Sequence, residues 1–344
     1  MTPFAGLIAD EHIVSLLRSE AMDPAGAYLF VGPSSLGKAT MARHFAAAVV
    51  CPLHGVHEDE CAICVRSLRG SHPDIAVVSP GGTTGLGVEQ ARQVIGRASL
   101  AKIESDYAVF IFDEAGTLTE PAANALLKTL EEPNQGTVFV LVAENLDQLP
   151  PTVISRCRTI HIGRLPTESI IEGLVDRGVL PENAEAAALA AGGRVGLAVS
   201  LATSPDLAEF RRNWLGIPVR LTGRPGDARR LAEEMIASLQ PMIETTIPDD
   251  LTKEAARKAT RFAERALLVR GLEILASWYT DAASVQVGGP MRNSDLPIAS
   301  LTAVSPGRAV TAVDWVMDAV VDVGGNMRTP LLLADLFTRL GTED

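Results

Sequence analysis

The residue types best suited to chemistry lie close together near the start of the sequence, between residues 27 and 43. A short apolar stretch at 27–31 is followed by the loop GPSSLGK at 32–38 and then by a helix-forming segment. Glycines allow backbone N–H groups to turn toward an anion, the helix N-terminus adds positive potential, and a lysine can reach outer phosphates. The pattern therefore predicts a P-loop that binds a nucleotide such as ATP. The residues predicted to surround its phosphates are Gly32, Ser35, Gly37, Lys38, Ala39 and Thr40.

One position of this loop departs from the pattern. The residue after the P-loop lysine is normally a serine or threonine whose hydroxyl binds Mg²⁺. Here it is Ala39, which has no side-chain oxygen. Thr40 lies one residue later, about 100° further round the helix, and is a poor substitute. The sequence therefore predicts that ATP binding is possible, whereas Mg²⁺ binding and hydrolysis are expected to be weak or absent.

A second pair of candidate residues follows the continuous apolar stretch at 107–112. A strand that is apolar throughout is typical of a parallel sheet that is buried on both faces. Asp113 and Glu114 come directly after this stretch, which is the arrangement of a Walker B motif. In such a motif Asp113 would orient Mg²⁺ and Glu114 would polarise the attacking water.

Three cysteines lie in residues 51–72, which we interpret as an insertion in the nucleotide-binding module. Cys61 and Cys64 have the two-residue separation of a zinc-ligand pair, and Cys51 precedes them. Two alternatives stay open, namely reduced cysteines without a metal and a redox-active pair.

A tetrahedral zinc site would need a fourth ligand besides the three cysteines. His54 and His57 lie within the insertion and His72 lies at its end, and we take His54 as the predicted ligand. Ser67 occupies the position at which a fourth cysteine would complete a regular repeat.

Apolar strand-like stretches alternate with amphipathic helical stretches as far as about residue 164. This alternation predicts an α/β fold with a doubly wound parallel sheet and a nucleotide site at the carboxyl ends of its strands. One further helix is predicted before the first strand, within residues 4–22. Short helices over 165–204 predict a helical lid, and 205–344 is predicted to be an all-α domain. We therefore predict three domains, at 1–164, 165–204 and 205–344.

The composition narrows the possible partners and compartment. The chain has 344 residues, of which 47% are hydrophobic, and its 42 acidic and 30 basic residues give a net charge of −12. An acidic chain is a weak nucleic-acid binder by itself, which disfavours a stand-alone zinc-dependent DNA-binding module. Apolar runs are too short for a membrane span and the first residues are not those of a secretory signal, so a reducing, cytoplasmic location is expected.

Several segments together resemble a known family. They occur in the order GPSSLGKAT at 32–40, the cysteine-bearing insertion at 51–72, SHPD at 71–74, FIFDEA at 110–115, AANALLKTLEEP at 122–133 and SRCR at 155–158. This order is similar to that of the bacterial clamp-loader proteins, which are AAA+ subunits of the DNA polymerase III holoenzyme. The motifs that carry the resemblance cover roughly residues 4–205.

The resemblance implies an AAA+ module, a helical lid and a helical collar in a subunit of a five-membered ring. It implies partners of the gamma/tau and delta type, an indirect role with the sliding clamp, and DNA contact as part of the complex.

Arg156 matches the SRC arginine, which in this family reaches the ATP site of the neighbouring subunit as an arginine finger. The alternative is that Arg156 is an ordinary surface or salt-bridge arginine. Cys51, Cys61 and Cys64 match the zinc module of the family, which usually has cysteine in place of Ser67.

The departures from the family pattern favour one subunit type. Active members carry Gly-x-x-Arg at the start of a lid helix, and here Gly193 is followed by Gly196 at the place of the nucleotide-sensing arginine. Arg194 lies on a different face. With Ala39 altered and Arg156 kept, we expect a delta-prime-like ring member that serves the ATP site of a neighbour. The alternative is an autonomous ATPase of gamma/tau type.

A basic stripe recurs every fourth residue in the long predicted helix at 251–277. It consists of Lys253, Arg257, Arg261 and Arg265. Such a stripe is usually a solvated helix face, and a contact with an acidic partner subunit is the alternative.

Overall fold

The computed structural model describes residues 2–57, 61–80, 85–246, 253–323 and 328–342. The chain divides into two compact units. Unit 1 comprises Met1–Gly178 and Gly193–Leu197, and unit 2 comprises Val179–Gly192 and Ala198–Asp344. The residues predicted to form the lid are thus shared between the two units. The three-domain division stays a prediction.

Unit 1 is built on a five-stranded parallel sheet, which confirms the predicted α/β class. Its strands are β1 Ala27–Val31, β2 Ile75–Val78, β3 Ala108–Phe112, β4 Thr137–Ala143 and β5 Arg158–His161. The strand order is β2-β3-β4-β1-β5. The first helices are α1 Glu11–Met22, α2 Lys38–Val50, α3 Ala62–Leu68 and α4 Val88–Ala98, followed by α5 Glu120–Glu131, α6 Pro151–Ile154 and α7 Thr167–Val175.

The two faces of the sheet explain why the central strands β1, β3 and β4 are almost entirely apolar. On one face Tyr28 and Phe30 of β1 pack with Phe45 of α2, and the Tyr28 and Phe45 ring centroids are 4.9 Å apart. On the other face Leu29 packs in a separate cluster that includes Leu126 of α5. Successive side chains of a strand point to opposite faces, so a sheet covered by helices on both sides needs apolar residues at every position.

Helix α1 confirms the helix predicted within residues 4–22, and the structure begins it at Glu11. Asp10 caps the helix, because its side chain accepts hydrogen bonds from the backbone N–H groups of His12 and Ile13 at 2.8 and 3.3 Å. Gly6 has φ +72°, a left-handed conformation that does not continue a helix, so the preceding residues form turns.

The SHPD segment fixes the loop that leads into β3. Both carboxylate oxygens of Asp74 accept backbone hydrogen bonds, from Ile103 at 2.7 Å and from Glu104 and Ser105 at 2.8 and 3.0 Å. Burial alone would raise the pKa of Asp74, but these three donors outweigh it and hold the pKa below its usual range. Asp74 is therefore a structural anchor that depends on its negative charge.

We expect Asp74→Asn to lower the free energy of unfolding by about 2–3 kcal/mol at pH 7, because hydrogen bonds to a charged acceptor are lost. A folded-state pKa below the unfolded value stabilises the protein above the unfolded pKa, near 4, and this contribution is lost as pH falls through the folded pKa. The difference between wild type and variant should therefore shrink below about pH 4. Denaturant titrations at several pH values would measure it, with Asp106→Asn at an exposed position as the control.

The secondary structure elements in the described residues of unit 2 are all helices. Its helices are α8 Pro181–Ala191, α9 Val195–Thr203 (whose first residues belong to unit 1), α10 Pro205–Leu215, α11 Pro225–Ala237, α12 Gln240–Thr246, α13 Lys253–Val285, α14 Ile298–Leu301, α15 Pro306–Val323 and α16 Thr329–Gly341. Trp214, Leu272 and Phe337 are fully buried in one continuous core. The all-α prediction for this part of the chain is confirmed.

Helix α13 carries the basic stripe that was identified in the sequence. Lys253, Arg257, Arg261 and Arg265 are all exposed. The start of the predicted helix, at 251–252, lies outside the described residues, and the helix continues to Val285 rather than ending near 277. A partner contact through this stripe stays a prediction. Within the described ranges, no helix combines the length and the apolar character that a membrane crossing requires.

Candidate nucleotide site, arginine and metal centre

The predicted P-loop joins β1 to α2. Gly37 is the N-cap of α2 with φ +81°, a left-handed conformation that favours glycine, and Ser35 is also left-handed with φ +61°. Lys38, Ala39 and Thr40 form the first turn of the helix. Ala39 is half-buried and Thr40 is exposed. The Thr40 hydroxyl, which is the nearest substitute for the one that position 39 lacks, therefore lies on the solvent side. The loop has the strand-to-helix geometry expected of a phosphate site.

Lys38 lies among carboxylates at the ends of the central strands. Its side chain is 7% exposed, and Nζ donates a hydrogen bond to the Pro33 carbonyl at 2.7 Å. Burial lowers the pKa of Lys38, while the charges of Glu144 and Asp113 oppose this shift. Strand β4 lies between β1 and β3, so Glu144 at its carboxyl end comes between the P-loop and Asp113. The lysine is thus held inside its own loop rather than extended toward solvent.

Asp113 and Glu114 follow β3 as predicted. Glu114 adopts a left-handed conformation with φ +56°, and its backbone N–H donates to Asp113 Oδ1 at 3.1 Å. Burial raises the pKa of Glu114, and the charges of Asp113 and Glu144 raise it further. A carboxyl group with a raised pKa accepts a proton more readily than an ordinary one. The Walker B roles of Asp113 and Glu114 stay predictions.

The first turn of α9 lies directly on the P-loop. The backbone N–H groups of Gly196 and Leu197 donate to the carbonyl of Ser35 at 2.8 and 3.3 Å. A Cβ atom at Gly196 would lie 2.8 Å from that oxygen, closer than real Cβ atoms come. Only a residue without a side chain permits this approach. Gly196, at the position where the resemblance expects a nucleotide-sensing arginine, thus lies in contact with the P-loop backbone and has no room for a side chain.

Arg156 lies just after α6 and is held by two helices. Its Nε and Nη2 donate to Glu131 Oε2 of α5 at 2.9 and 2.7 Å, and Nη1 donates to the Thr152 carbonyl at 2.9 Å. The side chain of Arg156 remains 29% exposed. The guanidinium is therefore fixed in direction without being buried in its own subunit, which is compatible with the predicted role.

Four potential metal ligands converge at the insertion. The ligand atoms of Cys51, His57, Cys61 and Cys64 all lie within 4.8 Å of one another, and His57 Nε2 is 3.3 Å from Cys64 Sγ. Cys51 follows α2, Cys61 is the N-cap of α3, and Cys64 lies in the first turn of that helix. Three soft sulfurs and one imidazole suit tetrahedral zinc, so this cluster could bind a metal ion.

The fourth member of this cluster is His57, not the predicted His54. His54 lies in a tight turn with φ +49°, and its Nδ1 is buried without a hydrogen-bond partner among the described residues. His72 is occupied elsewhere, because its Nδ1 accepts the backbone N–H of Asp74 at 3.2 Å. The turn directs His54 away from the cysteines, and sequence spacing carries no signal for that direction.

Two further residues of the site were not predicted from the sequence. Glu144 follows an apolar strand, as Asp113 does, and that shared position is a signal that could have identified it. Glu131 lies 25 residues before Arg156, and nothing in the local sequence indicates that the two side chains meet.

Comparison with known proteins identifies relatives of this chain. Residues 10–166 match the family model described as DNA polymerase III, delta subunit. The delta' subunit of Bacillus subtilis is 30% identical over 265 residues, covering 76% of this chain and 73% of the relative. The tau subunit of the same organism is 34% identical over 172 residues, covering 49% of this chain and 30% of the relative. This chain therefore spans less than a third of the length of that tau subunit.

Among solved structures, a gamma subunit-related protein from Thermotoga maritima aligns over 95% of this chain and 98% of its own. The sequence identity is 14% and the TM-score is 0.46.

Proposed function

We propose that this chain is a ring member that completes the ATP site of a neighbouring subunit. The chain belongs to the delta' family of AAA+ clamp-loader subunits of DNA polymerase III. It would act with gamma/tau-type and delta-type subunits in the cytoplasm and help to load the sliding clamp on primed DNA. Its net charge of −12 implies that DNA is contacted mainly through the assembled complex.

One asymmetry carries this proposal. Arg156 presents a partly exposed, always charged guanidinium, while position 39 lacks the oxygen that would hold Mg²⁺ in the site of the chain itself. The contact of Gly196 with the Ser35 carbonyl supports the same conclusion, because it leaves no room for a side chain at the position where the family resemblance expects a nucleotide-sensing arginine. The chain thus has a group suited to act on a neighbour and lacks two groups that would act on its own nucleotide.

The proposed cofactors follow from the same geometry. A zinc ion held by Cys51, His57, Cys61 and Cys64 would join the end of α2 to α3 and so stabilise the insertion. ATP binding without hydrolysis is compatible with the P-loop, in which Lys38 would exchange its bond to Pro33 for a phosphate oxygen.

A second candidate function is an autonomous ATPase of gamma/tau type. The geometry that favours it is the buried Lys38 beside Asp113, together with the raised pKa of Glu114. Restoring a metal site would nevertheless require an oxygen from water or from Thr40, which is exposed on another face of α2.

Rates of ATP hydrolysis separate the two candidates. We expect the purified chain to hydrolyse no ATP above background, and its addition to gamma/tau-type and delta-type subunits to stimulate their ATPase and clamp loading. Hydrolysis by the chain alone at the rate of a motor subunit, abolished by Lys38→Ala, would instead establish the second candidate.

A further inference from the structure

The contacts of Arg156 indicate how its guanidinium is prepared before any neighbour binds. Three of its five N–H bonds are used, two by Glu131 Oε2 and one by the Thr152 carbonyl. One N–H on Nη1 and one on Nη2 remain available among the contacts of the described residues. A fork of two N–H groups is the arrangement that binds phosphate oxygens best.

We propose that Glu131 is a positioning residue that holds the Arg156 guanidinium ready for a neighbouring subunit's nucleotide. This inference rests on the function proposed above. Glu131 is the last residue of α5, a helix packed on the central sheet through Leu126 and Leu130, so the carboxylate is attached to a rigid support. The Thr152 carbonyl of α6 provides the second fixed point.

Both fixed points are needed to define the plane of the guanidinium. An arginine side chain has several rotatable bonds, and a trans-acting arginine that samples many rotamers would rarely point at the phosphate. The bonds from Nε and Nη2 to one carboxylate oxygen limit rotation at the end of the chain. The remaining exposure of 29% leaves the outer edge accessible to a neighbour.

The next residue, Glu132, provides a matched control. It is also a glutamate at the end of α5 and is exposed, but its side chain makes no hydrogen bond or ion pair that the described part of the chain shows. A positional role therefore distinguishes two adjacent carboxylates of equal charge, whereas a general electrostatic role would not.

The test uses the assembled clamp loader and single-turnover ATP hydrolysis. Glu131→Ala should lower the maximal rate by about 10–30-fold with little change in KM. The reason is that the Arg156 side chain regains its rotamer freedom, and the entropy of ordering it again corresponds to about this factor in rate. Glu131→Asp keeps the charge but retracts the carboxylate, and we expect a similar loss. Glu131→Gln retains an acceptor oxygen and should stay within about threefold of wild type, while Glu132→Ala should stay within about twofold.

Combination with Arg156→Ala distinguishes the possible outcomes. If Glu131 acts through Arg156, Glu131→Ala should cause no further loss in the Arg156→Ala background. A full rate for both Glu131→Ala and Glu131→Asp beside a crippled Arg156→Ala would overturn this inference and leave the proposed function intact. A further loss in the double variant, or a rate above wild type for Glu131→Ala, would also contradict it. A normal rate for Arg156→Ala would refute the proposed function itself.

Discussion

Arg156→Ala should reduce single-turnover ATP hydrolysis by about 10³–10⁵-fold at the neighbouring site that we propose this chain completes, which is the range associated with arginine fingers. The reason is that a guanidinium neutralises charge that develops on the transferred phosphoryl group, and alanine leaves that charge unopposed. Assembly should be unaffected, because Arg156 is partly exposed and its intramolecular partners lie at the ends of helices.

Two further variants make this result specific. Arg156→Lys keeps a positive charge but loses the planar fork, so it should remain far below wild type. Arg97→Ala removes an exposed arginine of the same unit and should leave the rate unchanged. Pre-steady-state measurements are preferable, since sites that this chain does not serve would mask the loss in a steady-state assay. An unchanged rate for Arg156→Ala in a fully assembled complex would refute the proposed trans-acting role.

The purified chain should contain about one zinc ion, and Cys64→Ser should remove it and destabilise the insertion. Structural zinc in small domains has an apparent binding free energy of about 10–16 kcal/mol, and thiolates provide most of the affinity. Cys64 is fully buried and serine cannot replace its soft sulfur. Elemental analysis of protein purified without chelators would measure the metal content, and thermal unfolding with and without a chelator would measure its contribution to stability.

The same experiment can identify the fourth ligand. His57→Ala should weaken zinc retention, whereas His54→Ala should not, because only His57 lies with the cysteines. Cys157→Ser is a suitable cysteine control, since Cys157 lies outside this cluster. Zinc-free wild-type protein would contradict the prediction, as would zinc loss in His54→Ala with retention in His57→Ala.

Features encoded by contiguous residues were the ones that the sequence predicted well. The apolar strands, the P-loop and the Asp113–Glu114 pair each depend on a short segment whose residue types dictate its local structure. The parallel sheet was predictable because parallel strands need crossover connections, and helices between successive strands provide them. The two faces of the sheet then required apolar side chains throughout β1 and at every position of β4 after Thr137, as the structure shows.

Features that depend on the direction of a single side chain were not predictable in this way. His54 and His57 lie three residues apart, and the turn at 51–55 determines which of them joins the cysteines. The Arg156–Glu131 pair joins two helices through tertiary packing. The first residue of α1 was not predicted either, because the Asp10 cap and not the apolar spacing sets the start of the helix at Glu11.

The approach of α9 to the P-loop has a consequence for how this chain can evolve. A hydroxyl reintroduced at position 39 would restore one missing group, but an arginine at position 196 would collide with the Ser35 backbone unless the helix and the loop first moved apart. We therefore expect neither substitution by itself to give the chain ATPase activity. Under the function proposed above, the chain would have no single-substitution route to independence from its neighbours.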